Sequence, residues 1–218
     1  MIDGATRARI EEFDCRNKTR LSPNFILRDF LGSTEANFLG IPNVPEDWEM
    51  VIRSGKALCE AILEPLTEKF GKLFITFAYQ SRQVVEATSQ QKSPTSSCPH
   101  NWDRLSHGKE LYCRVDILPR CVEDNEVSKQ EFGHWLTHNL DFDILMDWHH
   151  SSVFCVTYSE YKPRRVWKTW VPLGQGDGGG NSITHMGRHF WQTIWPTLPP
   201  EERPVFGPSA TGGRMWWS

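Results

Sequence analysis

Histidines and carboxylates occur together at three separated places in the chain. The three segments are residues 97–103 with His100, residues 114–118 with Asp116, and residues 147–150, which read Asp-Trp-His-His. Zinc prefers neutral imidazole and ionised carboxylate among its ligands, and a catalytic zinc site takes three ligands and keeps a fourth position for water. These residue types therefore predict the mononuclear zinc site of a hydrolase.

The elements that must position these segments are helices and strands in mixed order. Apolar residues recur at three- and four-residue steps from Glu46 to Phe70, which predicts one long amphipathic helix, kinked or divided at Pro65. The runs 72–79 and 112–118 are apolar, β-branched and aromatic, which predicts two strands. The order of elements indicates an α+β domain.

Local signals add further boundaries. Ser22 with Pro23 predicts the start of a short helix that turns Phe25, Ile26, Phe30 and Leu31 inward. Ser128 and Glu131 form a capping-box pattern and predict a second helix start. Residues 86–108 are polar and predict a long loop, which contains His100 and is therefore taken as functional. Residues 153–158 and 165–171 alternate and predict a hairpin turning at Lys162-Pro163.

The chain divides into three predicted parts. Residues 1–20 are polar and form an N-terminal arm, and residues 21–172 form the main domain. Residues 173–218 begin with a glycine-rich loop and continue as an extension with four tryptophans, Trp191, Trp195, Trp216 and Trp217. This extension is too aromatic for a freely solvated tail, so we expect it to pack on the domain or on a protein partner.

Composition limits the functional classes. The net charge of −3 gives no electrostatic reason to expect nucleic acid as a partner. No apolar run reaches the length of a membrane helix, and the N-terminus has no signal-peptide core. We expect a cytoplasmic protein, including one that is carried in a virion or released by lysis. The six cysteines form no CxxC pair and are expected as free thiols, with a Cys113–Cys121 disulfide as the alternative.

Four motifs occur in an order that resembles a known superfamily. They are Ser22-Pro23-Asn24-Phe25, Gly40-Ile41-Pro42-Asn43-Val44-Pro45, Leu63-Glu64-Pro65-Leu66 and Phe77-Ala78-Tyr79-Gln80-Ser81. In this order they resemble the zinc D-alanyl-D-alanine carboxypeptidases and dipeptidases, which include phage cell-wall endopeptidases and share their fold with the hedgehog amino-terminal domain. The resemblance implies a small antiparallel sheet flanked by helices, here with an aromatic C-terminal extension.

The resemblance also implies roles for individual residues. The metal ligands would be His100, Asp116 and His150, with Asp147 in the place of the catalytic glutamate. Substrate would meet Tyr79, Gln80, Ser81 and Arg82, and Trp102 would add an aromatic face. The interval from His100 to Asp116 is longer than in the family, so Asp103 or His107 is an alternative second ligand, and His149 is an alternative to His150. Gln80 stands where the family has arginine, and Arg82 is the nearest replacement.

These observations favour a zinc-dependent peptidase that hydrolyses a short peptide amide, such as a peptidoglycan crosslink. In that reading Asp147 is the general base that later protonates the leaving amine. A fold relative that has lost the chemistry and serves as a binding or virion-assembly module is the alternative, motivated by Gln80, Asp147 and the aromatic C-terminus. A metal hydrolase of a non-peptide substrate is a third reading.

Overall fold

The computed structural model describes residues 11–88, 98–103, 111–148, 151–160, 166–172 and 180–185. The chain is a mixed α and β protein in which helices pack on a mostly antiparallel sheet, which confirms the predicted α+β class at that level. In the described residues, the sheet has six strands in the order β1-β2-β4-β3-β5-β6. Every neighbouring pair is antiparallel except β3 and β5, which run parallel. Within the described residues, no helix is both long enough and apolar enough to cross a membrane.

The elements follow one another in this order. The described part of the first helix, α1, covers residues 11–16. The helices that follow are α2 (Arg28–Leu31), α3 (Thr34–Leu39), α4 (Trp48–Leu58), α5 (Glu64–Phe70), α6 (Arg82–Thr88), α7 (Arg120–Glu123) and α8 (Lys129–Asn139). The strands are β1 (Leu73–Phe77), β2 (Tyr112–Pro119), β3 (Ile144–Trp148), β4 (Phe154–Ser159), β5 (Val166–Pro172) and β6 (Gly180–His185).

The long amphipathic helix is present, and its interruption lies one turn before the proline. A π-helical turn over Cys59–Leu63 joins α4 to α5, and the Glu64 N–H donates to the Cys59 carbonyl five residues back. Pro65 has no N–H and its ring crowds the preceding turn. The widened turn accommodates the proline without ending the helix, so Leu58, Ile62 and Leu66 all remain fully buried.

Two predicted helix starts had different outcomes. Ser128 caps α8 by accepting a bond from the Glu131 N–H, as predicted. The predicted start at Ser22 is wrong, because α2 begins at Arg28. The N–H groups of Leu21 and Ser22 instead donate to the Phe25 carbonyl, which closes a turn.

The predicted hairpin between the last two alternating segments is also wrong. The segments are strands, β4 and β5, but β3 lies between them in the sheet. Strand β3 pairs antiparallel with β4 and parallel with β5. The Val166 N–H reaches the Asp143 carbonyl at the start of β3. A tight turn cannot join strands that are not neighbours, so this connection is a crossover.

Two smaller predictions are corrected or resolved. The polar loop predicted from residue 86 begins later, because α6 continues to Thr88. All six cysteines are free, so Cys113 and Cys121 do not form a disulfide.

The sheet has two faces of different character. Opposed residues share a face and neighbours along a strand alternate. The helix-packed face carries apolar side chains that join the helices in one core, among them Val115, Ile117, Leu145, Phe154 and Val156. The polar face is defined by Arg114 and Asp116 on β2 and by their partners Thr157 and Cys155 on β4. Residues with ionisable or polar groups therefore lie in adjacent rows on this second face.

Candidate functional site

His100 is held beside the polar face by backbone contacts on both sides. Its Nδ1 lies 2.7 Å from the Ala78 carbonyl oxygen, just after β1. The Gln80 N–H donates to the His100 carbonyl, and the Arg114 N–H of β2 donates to the Pro99 carbonyl. The imidazole also packs edge-on against Phe77, with ring centroids 4.5 Å apart. Phe77 is the cross-strand partner of Asp116, so His100 packs on the residue that pairs with Asp116.

The protonation state of His100 follows from these contacts. Burial, reinforced by the positive charge of Arg114, lowers the pKa of His100 to about 4. The ring is therefore neutral at pH 7. A carbonyl oxygen can only accept, so Nδ1 carries the proton and the lone pair is on Nε2. A histidine whose other nitrogen donates to a backbone carbonyl is the usual form of a metal ligand.

Asp116 is a buried carboxylate with unused hydrogen-bonding capacity. The Cys155 thiol, directly across on β4, donates to it. Its Oδ1 atom is buried and has no hydrogen-bond partner among the described residues. Burial raises the pKa of Asp116, although the Cys155 bond and the charge of Arg114 act in the opposite direction. A buried oxygen without a donor is costly unless a cation or water satisfies it.

Arg114 had no predicted role, and neither had Thr157 and Cys155 on the neighbouring strand β4. Arg114 Nε donates to Thr157 Oγ1 at 3.0 Å. Its charge lowers the pKa of His100 and opposes the rise in the pKa of Asp116 and Cys155. The available signal was the two-residue step from Arg114 to Asp116, because residues two apart on a strand share a face.

Asp147, the predicted general base, lies on the other face of the sheet. Asp147 pairs with Phe154, which lies on the helix-packed face. The polar face has a different row of paired residues, which runs from Asp116 through Cys155 to Met146. Asp147 is buried, with 4% of the residue exposed. It is 2.9 Å from Lys129 Nζ and accepts a 3.0 Å bond from Trp167 Nε1. A carboxylate already engaged by two donors, with the sheet between it and His100, is not placed to act as that base.

Asp103, one alternative ligand, is a structural carboxylate. It accepts hydrogen bonds from the Glu46 and Asp47 N–H groups, each at 3.0 Å, and from the Tyr79 hydroxyl at 2.5 Å. The Asn101 side chain contributes a longer bond of 3.4 Å. These four donors tie the start of α4 to the His100 segment, which explains the position of Asp103 without a metal.

The residues expected to meet substrate are mostly interior. Tyr79 and Trp102 are fully buried and pack against each other in the core, with ring centroids 6.3 Å apart. Gln80 and Ser81 are also buried, and the Ser81 N–H donates to the Asn43 side chain. Arg82 is exposed on α6 and paired with Glu86 at 2.6 Å. The geometry does not support substrate contact by Tyr79 or Trp102.

Three predicted ligands lie outside the described residues: His107, His149 and His150. Within the part of the chain that the structure describes, no group of three or more histidines, cysteines or acidic residues could hold a metal ion. Of the three preferred ligands that the sequence predicts, His100 and Asp116 lie within the described residues. The neutral imidazole and the unpartnered Asp116 Oδ1 fit zinc in chemical type.

Comparison with known proteins gives no relative. No protein-family model, no curated protein and no solved structure matches the chain.

Proposed function

We propose that this chain is a zinc-dependent hydrolase of short peptide amides, related in fold to the D-alanyl-D-alanine carboxypeptidases. The single observation that carries the proposal is that a neutral, backbone-anchored His100 packs on Phe77, the strand partner of Asp116, whose Oδ1 has no hydrogen-bond partner among the described residues. His150 or His149, which directly follow β3, is the expected third ligand. The peptide substrate and the peptidoglycan crosslink come from the sequence resemblance.

The chain's own residues have defined tasks in this site. The Ala78 carbonyl accepts a hydrogen bond from the Nδ1 proton of His100, which leaves the Nε2 lone pair available to bind a metal. The Cys155 thiol donates to Asp116, and Asp116 Oδ1, which has no donor among the described residues, would accept a cation. A bound zinc ion would polarise the substrate carbonyl and lower the pKa of a water ligand. Because Asp147 is engaged elsewhere, proton transfer must use a residue other than Asp147.

Zinc binding tests the metal part of this proposal. Full-length protein should bind one zinc per chain, and H100N and D116N should each lower the zinc affinity by about tenfold or more. H138N is the matched histidine control, because His138 Nδ1 also lies 2.7 Å from a backbone carbonyl, that of His134. D124N is the matched aspartate control, because Asp124 is exposed at the C-terminal end of α7. Equal zinc affinity in H100N and wild type would reject the site.

A second candidate function has its own supporting observation. The engagement of Asp147 by Lys129 and Trp167 favours a relative that binds metal but serves as a binding or assembly module. The two functions differ in one measurement, the zinc-dependent cleavage of peptidoglycan fragments and short peptides. Cleavage that stops on chelation and returns with zinc supports the hydrolase. A zinc-loaded protein that is inert on these substrates supports the binding module.

A further inference from the structure

We propose that a bulge in β1, formed by Thr76 and Phe77, positions the two proposed metal ligands, and that Phe77 is the positioning residue for His100. The inference rests on the proposed function and deepens it, because it concerns how His100 and Asp116 are held relative to each other. It starts from one juxtaposition: Phe77 pairs with Asp116 across the sheet, and its ring packs on His100.

The bulge decides which face of the sheet Phe77 occupies. Ile75 pairs with Ile117 and packs against the core of the helix-packed face, whereas Phe77 pairs with Asp116 on the polar face. Residues two apart on a regular strand share a face, so without the register shift between them Ile75 and Phe77 would both face the helices. One extra residue in a strand produces such a shift. The bulge therefore presents an aromatic ring to His100.

Thr76 ties the bulge to the backbone of Asp116. Its hydroxyl donates to the Asp116 carbonyl at 3.2 Å. An extra residue in a strand disrupts the ladder of backbone hydrogen bonds locally, and a threonine hydroxyl can take the place of a backbone donor. Thr76 is exposed, so core packing does not hold its side chain. The hydrogen bond therefore fixes the bulge at the strand position of the proposed ligand Asp116.

Two adjacent residues of this segment hold the imidazole of His100. The Ala78 carbonyl oxygen lies 2.7 Å from Nδ1, and the Phe77 ring meets the imidazole edge-on, with an angle of 73° between the ring planes. A single hydrogen bond leaves the imidazole free to rotate about the axis of that bond, and a packed aromatic ring blocks this rotation. Metal-binding histidines depend on outer contacts that fix the ring orientation. Phe77 therefore sets the direction of the Nε2 lone pair.

Matched phenylalanine variants of the full-length protein test this inference. F77L removes the ring that meets His100, and F74L is the control, because Phe74 is also half-buried on β1 but pairs with Leu118. Zinc affinity should fall about tenfold in F77L and stay at the wild-type value in F74L, while F77Y keeps the ring and should retain most of the affinity. The free energy of unfolding is measured for each variant, because a purely structural role would lower stability without separating the zinc affinities of F77L and F74L.

A second readout does not depend on zinc. The ring nitrogens of His100 are observed by nitrogen NMR in the presence of chelator, at a pH where the imidazole is neutral. We expect the single Nδ1–H tautomer in wild type and F74L. F77L should show a mixture of the two neutral tautomers, because a ring that can rotate loses its bond to the Ala78 carbonyl for part of the time.

The role of the bulge itself is tested at Thr76. T76V removes the hydroxyl at nearly constant volume and should lower the zinc affinity by a smaller factor than F77L. T76S keeps the hydroxyl and should restore the affinity. T88V is the matched control, because Thr88 Oγ1 also donates to a backbone carbonyl, that of Val84 on α6, at 2.9 Å.

The two readouts separate this inference from the proposed function. F77L with the zinc affinity and the His100 tautomer of wild type overturns the inference. A wild-type protein that binds no zinc contradicts the proposed function, and the tautomers of F77L and F74L then decide the inference alone, with a difference supporting it and equality overturning it. If F77L does not fold, the comparison of T76V with T88V in the same two measurements takes its place.

Discussion

Two aspartates in neighbouring rows of the same sheet have opposite environments. Asp147 faces the helices, where Lys129 and Trp167 neutralise and bind its carboxylate. Asp116 faces the polar side, where a thiol is its described donor and Oδ1 remains without a partner. A buried carboxylate is usually paired, because an unpaired one lowers the stability of the fold. Groups of the second kind are found preferentially at functional sites. Asp147 is therefore a paired structural carboxylate, whereas Asp116 has an oxygen without a donor among the described residues.

The largest expected effect comes from removing the partner of Asp147. Lys129→Met leaves a buried carboxylate with its charge uncompensated and also removes the bond from Lys129 Nζ to the Trp148 carbonyl. The free energy of unfolding should fall by about 3 kcal/mol, measured by urea denaturation at pH 7. Lys69→Met, at an exposed position of α5, is the control and should change the free energy of unfolding little. A loss below about 1 kcal/mol would show that Asp147 is not held by this ion pair.

Lowering the pH should reduce the stability of the fold through His100. Because burial lowers the pKa of His100 from 6.5 to about 4, the unfolded chain takes up a proton between these values and the folded chain does not. Stability therefore falls as the pH drops through this window, by about 2 kcal/mol between pH 7 and 5. H100N keeps a donor for the Ala78 carbonyl and does not titrate.

The comparison of wild type with H100N isolates this contribution. Unfolding is measured in chelator at both pH values, so that metal binding does not enter. The decrease in stability from pH 7 to 5 should be smaller in H100N by the same amount. An identical decrease in the two proteins would mean that His100 takes up its proton over the same pH range in the folded and the unfolded chain.

Packing on the helix-packed face should be sensitive at Gly133. A Cβ atom there would lie 2.5 Å from Trp167 Cη2, and the indole is held by its bond to Asp147. Gly133→Ala should destabilise the protein by about 1 kcal/mol, even though alanine is the better helix former. Gly55→Ala is the matched control, because its Cβ would meet only the end of the flexible Leu21 side chain. Equal thermal unfolding midpoints in the two variants would contradict a rigid Trp167.

The smallest stability change is expected at Asp116 itself. Its pKa is raised by burial, so its charged form destabilises the fold above the unfolded pKa. D116N should therefore stabilise the protein slightly at pH 7, by less than about 1 kcal/mol. D147N should destabilise it, because the ion pair with Lys129 is lost. If both variants lower the urea midpoint equally, the two carboxylates have the same structural role.

Local signals in the sequence predicted the elements that depend on short-range physics. The Ser128 cap, the amphipathic helix through Ile62 and the strands β1 and β2 follow from side-chain periodicity and hydrogen bonds within a few residues. His100 was selected for its residue type and its loop. The neutral, anchored state of its ring depends on Ala78, which lies 22 residues earlier, and could not be read from the neighbouring residues.

The sequence by itself determined the α+β class, most of the elements and two side chains of the candidate site. Only the tertiary structure decided that β3 lies between β4 and β5, that Tyr79 and Trp102 are interior, and that Asp116 and Asp147 lie on opposite faces. The physical reason is that strand order and register are set by long-range pairing. A shift of the strand pairing by one residue moves every side chain of that strand to the opposite face of the sheet. The partner of each carboxylate is therefore decided only when the sheet assembles.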